Sequence, residues 1–369
     1  MTNLTQHDID KRLEEIVSAA WAHNMQHFPA VTVSEVSKVL EYVGKQAVTS
    51  SRGGKRLRAL LLHETAHTFA ENTRDVIFTQ EHERAIIDLA VAIEIFQTAA
   101  LIHDDIIDDA DTRRGKPSAH RALETHMSNN HQGSGLALML GDLLATLSIR
   151  TAHTSSDIFS QSSTIFQTFL DMHDQVELGQ IMDVSMESLD LDHCDKLEES
   201  ITATYINKTA SYTTVAPLEI GLLASESLQG IESAHSVALS AGQKLGIAFQ
   251  IHDDLIDLIS NPEQTGKPVG GDIREGKRTY ILAQALKLAN STQRDYLIHS
   301  YLDNEIRTQS QIDHIRDIFI SSGAIEASIT AVDELWNSAA QEILALCMAC
   351  DISPEMTQNY LHTCQRFVA

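Results

Sequence analysis

Cysteine, proline, aromatic residues and positive charge are all scarce in this chain of 369 residues, and each scarcity excludes something. The four cysteines, Cys194, Cys347, Cys350 and Cys364, are too few and too scattered for a disulfide framework and fit a reducing compartment. Cys347 and Cys350 form a C-x-x-C, but it lies in the helix-like run EILALCMAC with no second pair, so two packed side chains are expected there. Six prolines leave room for long helices. Aromatics at 5 % argue against a β-sandwich or barrel. No uninterrupted apolar run reaches the roughly 18 residues of a membrane span, and the N-terminal MTNLTQHDIDKRLEEI has no apolar signal core. A cytoplasmic protein without a transmembrane segment is expected. The 27 basic residues face 51 acidic ones, a net charge of −24, and such a field repels nucleic acid and anionic membranes. It also repels a phosphorylated substrate, so an anionic ligand here needs local cations or metal ions.

What is present is helix-period patterning. In residues 84–103, RAIIDLAVAIEIFQTAALIH, apolar side chains recur at three- and four-residue spacing and cover most of the surface, as in a buried helix. Residues 136–152, 164–186 and 234–259 read similarly. Sustained alternation of period two and hairpin signals are both missing. Residues 50–54, 111–118, 129–135, 187–197 and 260–278 read as connections, and none resembles an interdomain linker. The sequence predicts one all-α domain over 1–369 with a deeply buried central helix pair.

Two acidic clusters sit at the ends of apolar runs. In LIHDDIIDD, which starts at Leu101, Asp104 and Asp108 share one helix face, about one turn long, with Asp105 to the side. In IAFQIHDDLIDLI, Asp253 and Asp257 repeat the spacing, with Asp254 adjacent. Like charges so placed destabilise a helix unless cations bind. A single cluster is equally well a solvated helix end, but the repetition argues for magnesium, which takes oxygen ligands from one or two carboxylates plus substrate phosphates. Clusters facing each other across a cleft would hold several ions around one diphosphate and neutralise its charge as it leaves.

Basic residues gather beside both clusters. GGKRLR at 53–58 offers Lys55, Arg56 and Arg58, Arg113 and Arg114 follow the first cluster, and Lys267 and Lys277 follow the second. Arginine gives planar two-point contacts to phosphate and lysine a point charge. Any one of these residues alone reads as a solvated surface charge. GGKR lacks the G-x-x-x-x-G-K-[ST] and strand–loop–helix context of a nucleotide P-loop.

In order along residues 50–280, GGKRLR, LIHDDIIDD with RRGKP, ELGQIMD (177–183), KTA (208–210), FQIHDDLID (249–257) and GKPVGGDIREGKRT (266–279) resemble the trans-isoprenyl diphosphate synthases, the polyprenyl synthetase family. The geranylgeranyl diphosphate synthases are the members it is most similar to. The resemblance implies an isoprenoid-synthase-type helical bundle around a deep central cavity, usually a homodimer, with magnesium as cofactor (three ions with substrate bound). It implies Asp104, Asp105 and Asp108 as metal ligands of the first motif, and Asp253 with Asp257 in support as those of the second. It assigns Lys55, Arg58, Gln97 and Arg114 to isopentenyl diphosphate, and Arg113, Lys208, Lys267 and Lys277 to the allylic diphosphate. Thr209 and Gln250 would line the carbocation region, where neutral dipoles stabilise a cation without trapping it. Ala59 stands where many members have proline, and the first motif lacks the two-residue insertion of bacterial farnesyl synthases.

Product length is expected to follow the helix below Asp104. Ala99 and Ala100, one turn away, are small where short-product members often carry an aromatic, and Phe96, about two turns below, is the next bulky side chain. A floor at Phe96 gives a twenty-carbon product; Phe96 also reads as a plain core residue, and longer products stay open. A class I terpene cyclase or a head-to-head synthase would not need GGKRLR and Arg114. A non-catalytic synthase subunit would tend to lose an acidic motif.

Overall fold

The computed structural model describes residues 4–27, 33–70, 79–127, 130–187, 189, 191, 194–227, 231–259, 270–302 and 307–369. The chain forms two compact units, Met1–Phe169 with Ile220–Ser227, and Leu170–Glu219 with Leu228–Ala369.

The first unit is built on α4 (Gln80–Ile107). Thr79 caps it, its hydroxyl accepting from the His82 N–H while the His82 ring turns back to the Thr79 N–H. Beyond the first turn the helix is apolar on nearly every face, and Ile86, Leu89, Val91, Ile93, Ile95 and Phe96 are buried, as expected for such a helix. Around it lie α1 (Gln6–His27), α2 (Ser34–Ser51), α3 (Leu57–Ala70), α5 (Ala119–Glu124) and α6 (Asn130–Ser156). Both α4 and residues 131–156 of α6 are long and apolar enough to cross a membrane by length and composition, but 72 % of the apolar window of α4 is buried inside the protein. Asp88 and Glu94 are the acidic residues within its apolar run.

Three expectations are corrected here. Residues 130–135 are helical rather than a loop: Gly133 packs against the Glu124 backbone, where a Cβ would come within 2.8 Å of the amide nitrogen. Residues 112–117 form a hairpin, Thr112–Arg113 paired with Lys116–Pro117 through a two-residue turn; strands of two residues are too short to show alternation. Helix α6 is not buried all round, because Leu138, Met139 and Leu143 are exposed.

The second unit holds most of α7 (Ser162–Met186), then α8 (Cys194–Thr204), a wider i→i+5 turn segment (Tyr205–Val215), the start of α9 (Ala216–Ala224) and α10 (Ile231–Ile259). It continues through α11 (Gly271–Glu275), α12 (Tyr280–Leu288), α13 (Ser291–Leu302), α14 (Gln309–Ser321), α15 (Ala324–Ala349) and α16 (Pro354–Gln365). Residues 281–369 carry no sequence motif, yet they complete the core: Leu282, Ile315 and Phe319 join one buried cluster with Ile251, Leu255 and Leu258 of α10. Cys347 of the C-x-x-C is buried and its thiol is pushed up to about 11, which keeps it protonated and unreactive.

Candidate active site

In the first unit α4 ends in the first acidic cluster. The Asp108 N–H donates to the Asp104 carbonyl (2.9 Å), which closes the last turn. A helix C-terminus carries partial negative charge, so both carboxylates are held against the dipole and against each other. Such a place favours a bound cation. Asp105 turns inward and is 2 % exposed. Arg113 donates to Asp105 Oδ1 from Nε (2.7 Å) and approaches Asp104 Oδ2 with Nη2 (3.3 Å). Burial raises the Asp105 carboxyl above its ordinary range; Arg113 opposes this and Asp104 reinforces it. Burial also works against the charge of Arg113, but Asp105, Asp104 and Asp108 hold its pKa above the ordinary value.

The hairpin sends the next arginine the other way. Arg114 and Gly115 both have positive φ, 54° and 72°, the mirror-type turn that suits two-residue hairpins. Arg114 Nη1 then donates to the carbonyls of Arg52 (3.1 Å) and Gly53 (2.9 Å). This approach explains the paired glycines of GGKRLR. Gly53 and Gly54 have φ of +82° and +97°, and a Cβ on Gly54 would lie 3.1 Å from Arg114 Nη2. A cleft of about 120 Å³ opens here, lined by Arg52, Gly53, Asp105, Arg113 and Arg114 among others. Burial, then the charges of Arg56 and Arg58, push the Arg114 pKa below its ordinary value.

Glu94, buried in mid-α4, organises the other cations. Its Oε2 accepts from Arg56 Nη1 (2.9 Å), and its Oε1 accepts from the Ala59 N–H (3.3 Å). With its amide nitrogen towards Glu94 Oε2 (3.2 Å), Gln97 accepts from Arg58 Nη1 (2.8 Å). Arg56 also bonds Asp10 (2.7 Å) and the Ser51 carbonyl. The sequence departure at Ala59 thus has a role, since a proline there has no N–H to give Glu94. Lys55 is exposed at the head of this loop, Phe96 and Ala99 are buried, and Ala100 is partly buried.

In the second unit the KTA residues lie in the wide-turn segment. Gly179 of ELGQIMD lets α7 close on it, because a Cβ there would sit 2.2 Å from the Lys208 backbone nitrogen. Lys208 Nζ pairs with Asp183 Oδ2 (2.5 Å), the last residue of the same motif. Thr209 donates to Gln250 Oε1 (2.8 Å), and Gln250 Nε2 donates to Asp254 Oδ1 (2.8 Å). The Tyr205 hydroxyl donates to Asp254 Oδ2 and accepts from the Tyr280 N–H (3.1 Å). Asp254 is therefore an internal anchor, 4 % exposed and pushed well up by burial. Its neighbours face outward: Asp253 is exposed and Asp257 partly buried. Asp257 Oδ2 accepts the Asp272 N–H (3.1 Å). Lys277 pairs with Glu275 (3.0 Å). Lys267 lies outside the described residues.

Burial lifts the Asp272 carboxyl to about 7; Lys277 opposes this, and Asp257, Glu275 and Asp253 add to it. Mutually repelling hard oxygen donors at helix C-termini suit magnesium, which keeps waters and leaves positions for phosphate. The residues present fit that ion. A pH effect follows with a defined sign. The fold favours neutral Asp272, so its contribution is favourable at low pH and is lost as pH rises from the unfolded value near 4 through about 7. In chelator, melting temperature between pH 6 and 8 should fall more for the unsubstituted protein than for Asp272→Asn. Equal slopes would remove Asp272 as the source.

Sequence reasoning assigned no site role to Glu94, Asp183, Tyr205 or Asp272. Asp183 and Asp272 lie inside motifs already singled out, whereas Glu94 and Tyr205 carry no local signal.

An all-α chain with carboxylate clusters at helix ends and arginines held beside one of them is a helical protein fitted for divalent cations and anionic groups. It belongs to the polyprenyl synthetase family, which matches residues 38–319, and is a prenyltransferase of the isoprenoid-synthase helical fold. A short chain isoprenyl diphosphate synthase of Methanothermobacter thermautotrophicus is 32 % identical over 210 residues, 57 % of this chain and 59 % of that one, so the match spans under two thirds of that relative. A geranylfarnesyl diphosphate synthase of Aeropyrum pernix is 28 % identical over 92 % of this chain and 96 % of its own. The crystal structure of geranylgeranyl pyrophosphate synthase from Corynebacterium glutamicum, complexed with isoprenyl diphosphate and magnesium, is 25 % identical, covers 99 % of both chains and gives a TM-score of 0.80.

Proposed function

We propose that the chain joins isopentenyl diphosphate head-to-tail to an allylic diphosphate, with geranylgeranyl diphosphate as product. The observation that carries this reading is the Glu94-organised arginine group beside the first carboxylate cluster. A cyclase needs only an ionising site, whereas a condensing enzyme also needs a second diphosphate site. Lys55, Arg58, Gln97 and Arg114 hold isopentenyl diphosphate. Arg113, Lys208, Lys267 and Lys277 contact the allylic diphosphate.

Bound magnesium, three ions with substrate, supplies positive charge to the departing diphosphate. Asp104 and Asp108, and Asp253 with Asp257, are the residues that would hold it, while Asp105 keeps Arg113 in place. The allylic carbon–oxygen bond breaks with its electron pair on diphosphate, the isopentenyl double bond attacks the allylic cation, and a proton leaves to the released diphosphate. Thr209 and Gln250 offer neutral dipoles to the cation, aligned by the hydrogen bond to Asp254. Apolar surroundings keep out water that would capture it.

The two units act as one catalytic domain, a reading supported by a family match that runs through both. The exposed apolar face of α6 supports a homodimer; sedimentation should give the mass of two chains, and a single-chain mass would refute it. Few cysteines support a cytoplasmic setting.

The test is incubation with magnesium, labelled isopentenyl diphosphate and each of dimethylallyl, geranyl and farnesyl diphosphate, with products sized as alcohols after phosphatase treatment. Twenty-carbon product is expected. No condensation from folded protein would sink the reading, and a longer ladder would sink the product assignment alone. The floor has its own test: Phe96→Ala should lengthen the product, and an unchanged distribution would show that the floor lies elsewhere.

A further inference from the structure

Away from the diphosphate chemistry, residues 63–67 of α3 read His-Glu-Thr-Ala-His, the H-E-x-x-H spacing that presents two imidazoles on one helix face. A third donor comes from the first turn of α4. His63 Nε2 lies 3.1 Å from Glu83 Oε1, and His67 Nε2 lies 2.7 Å from Glu83 Oε2. One ligand atom from each of the three falls within 4.8 Å of the other two. Zinc–nitrogen and zinc–oxygen bonds of about 2.0–2.2 Å set ligand separations of roughly 3.3–3.6 Å, so the 3.1 and 2.7 Å histidine–carboxylate contacts need open only by some tenths of an ångström to admit the ion. Glu64 Oε1 sits 3.6 Å from His63 Nδ1, facing the second ring nitrogen but beyond hydrogen-bond length, and that buried nitrogen has no hydrogen-bond partner. A shift of a few tenths of an ångström would give the carboxylate–histidine hydrogen bond that orients metal-bound imidazoles.

We propose that His63, His67 and Glu83 bind a borderline divalent cation, zinc by the chemistry of the donor set, as a structural clip joining α3 to α4. Two imidazoles and one carboxylate suit zinc better than magnesium, which prefers oxygen alone. Glu64 stands behind His63, close enough to reach its second ring nitrogen after a small shift. Glu83 lies roughly 30 Å along α4 from Asp104, so the clip is separate from the magnesium ligands. It bears instead on the helix pair that carries Arg58 and Glu94. This inference does not depend on the prenyl-transfer reading.

The test is zinc titration by calorimetry on chelator-treated full-length protein in excess magnesium, which occupies the aspartate clusters, followed by cobalt substitution. One equivalent of zinc should bind, raise the melting temperature, and give the intense visible bands of four-coordinate cobalt. Glu83→Gln, which keeps shape, and His67→Gln should each weaken zinc about tenfold or more, whereas Asp104→Asn and Asp253→Asn should leave it unchanged. Circular dichroism on both ligand variants verifies their fold. Zinc affinity unaltered by Glu83→Gln and His67→Gln, affinity lost in the aspartate variants, or no stoichiometric binding at micromolar zinc would each overturn the clip.

Discussion

Replacing Asp104 or Asp253 by asparagine should lower condensation turnover by about 10²–10³-fold, the loss typical when one preorganised partner of a developing charge is removed. Asparagine keeps the volume and removes the negative charge, so the affected quantity is magnesium held near the departing diphosphate. Neither side chain anchors the interior: Asp253 is exposed, and Asp104 stands at the helix end. Fold and melting temperature should therefore change little. KM for isopentenyl diphosphate should stay near its original value, because Arg58 and Arg114 are held by Gln97, Arg52 and Gly53 rather than by these aspartates. Extra magnesium should recover part of the lost rate. Turnover within a few-fold of the unsubstituted protein would show that the clusters are solvated helix ends.

Glu94→Ala should be the most damaging change outside those clusters, and for a different reason. The side chains of Arg56 and Glu94 are each 1 % exposed. Removing one partner of a buried ion pair leaves the other charge uncompensated, at a cost of about 3–5 kcal/mol. Asp10 stays with Arg56 and moderates that loss. The Ala59 N–H and the Gln97 amide lose their acceptor too. Denaturant unfolding measures the stability term. Glu94→Gln should cost less stability but still raise KM for isopentenyl diphosphate, since Gln97 and Arg58 lose their charged anchor. A change confined to stability, with KM untouched in the glutamine variant, would limit Glu94 to packing.

Much of this was legible in the sequence. The apolar coverage of residues 84–103 marks α4 as buried, and four-residue spacing places Asp104 with Asp108 and Asp253 with Asp257. What escaped depends on contacts that sequence separation hides. A lone glutamate in an apolar helix names no partner, and Arg56 lies 38 residues from Glu94. Asp254 looks equivalent to Asp253 by composition, but helix rotation turns one to Tyr205 and the other to solvent. Gly133 and Gly135 read as breakers, although Gly133 answers to a close approach within a helix. The spacing of His63 and His67 is visible in the chain, whereas Glu83 joins them only through the packing of α3 on α4. Hydropathy finds the apolar face of α6 without saying what covers it.

The most direct single measurement counts diphosphate released and labelled isopentenyl units incorporated in one reaction, with magnesium and with chelator. One diphosphate per unit incorporated, and neither in chelator, is the expected result. Diphosphate released without incorporation would make the chain a cyclase or hydrolase, and magnesium-independent incorporation would contradict the role given to the aspartates.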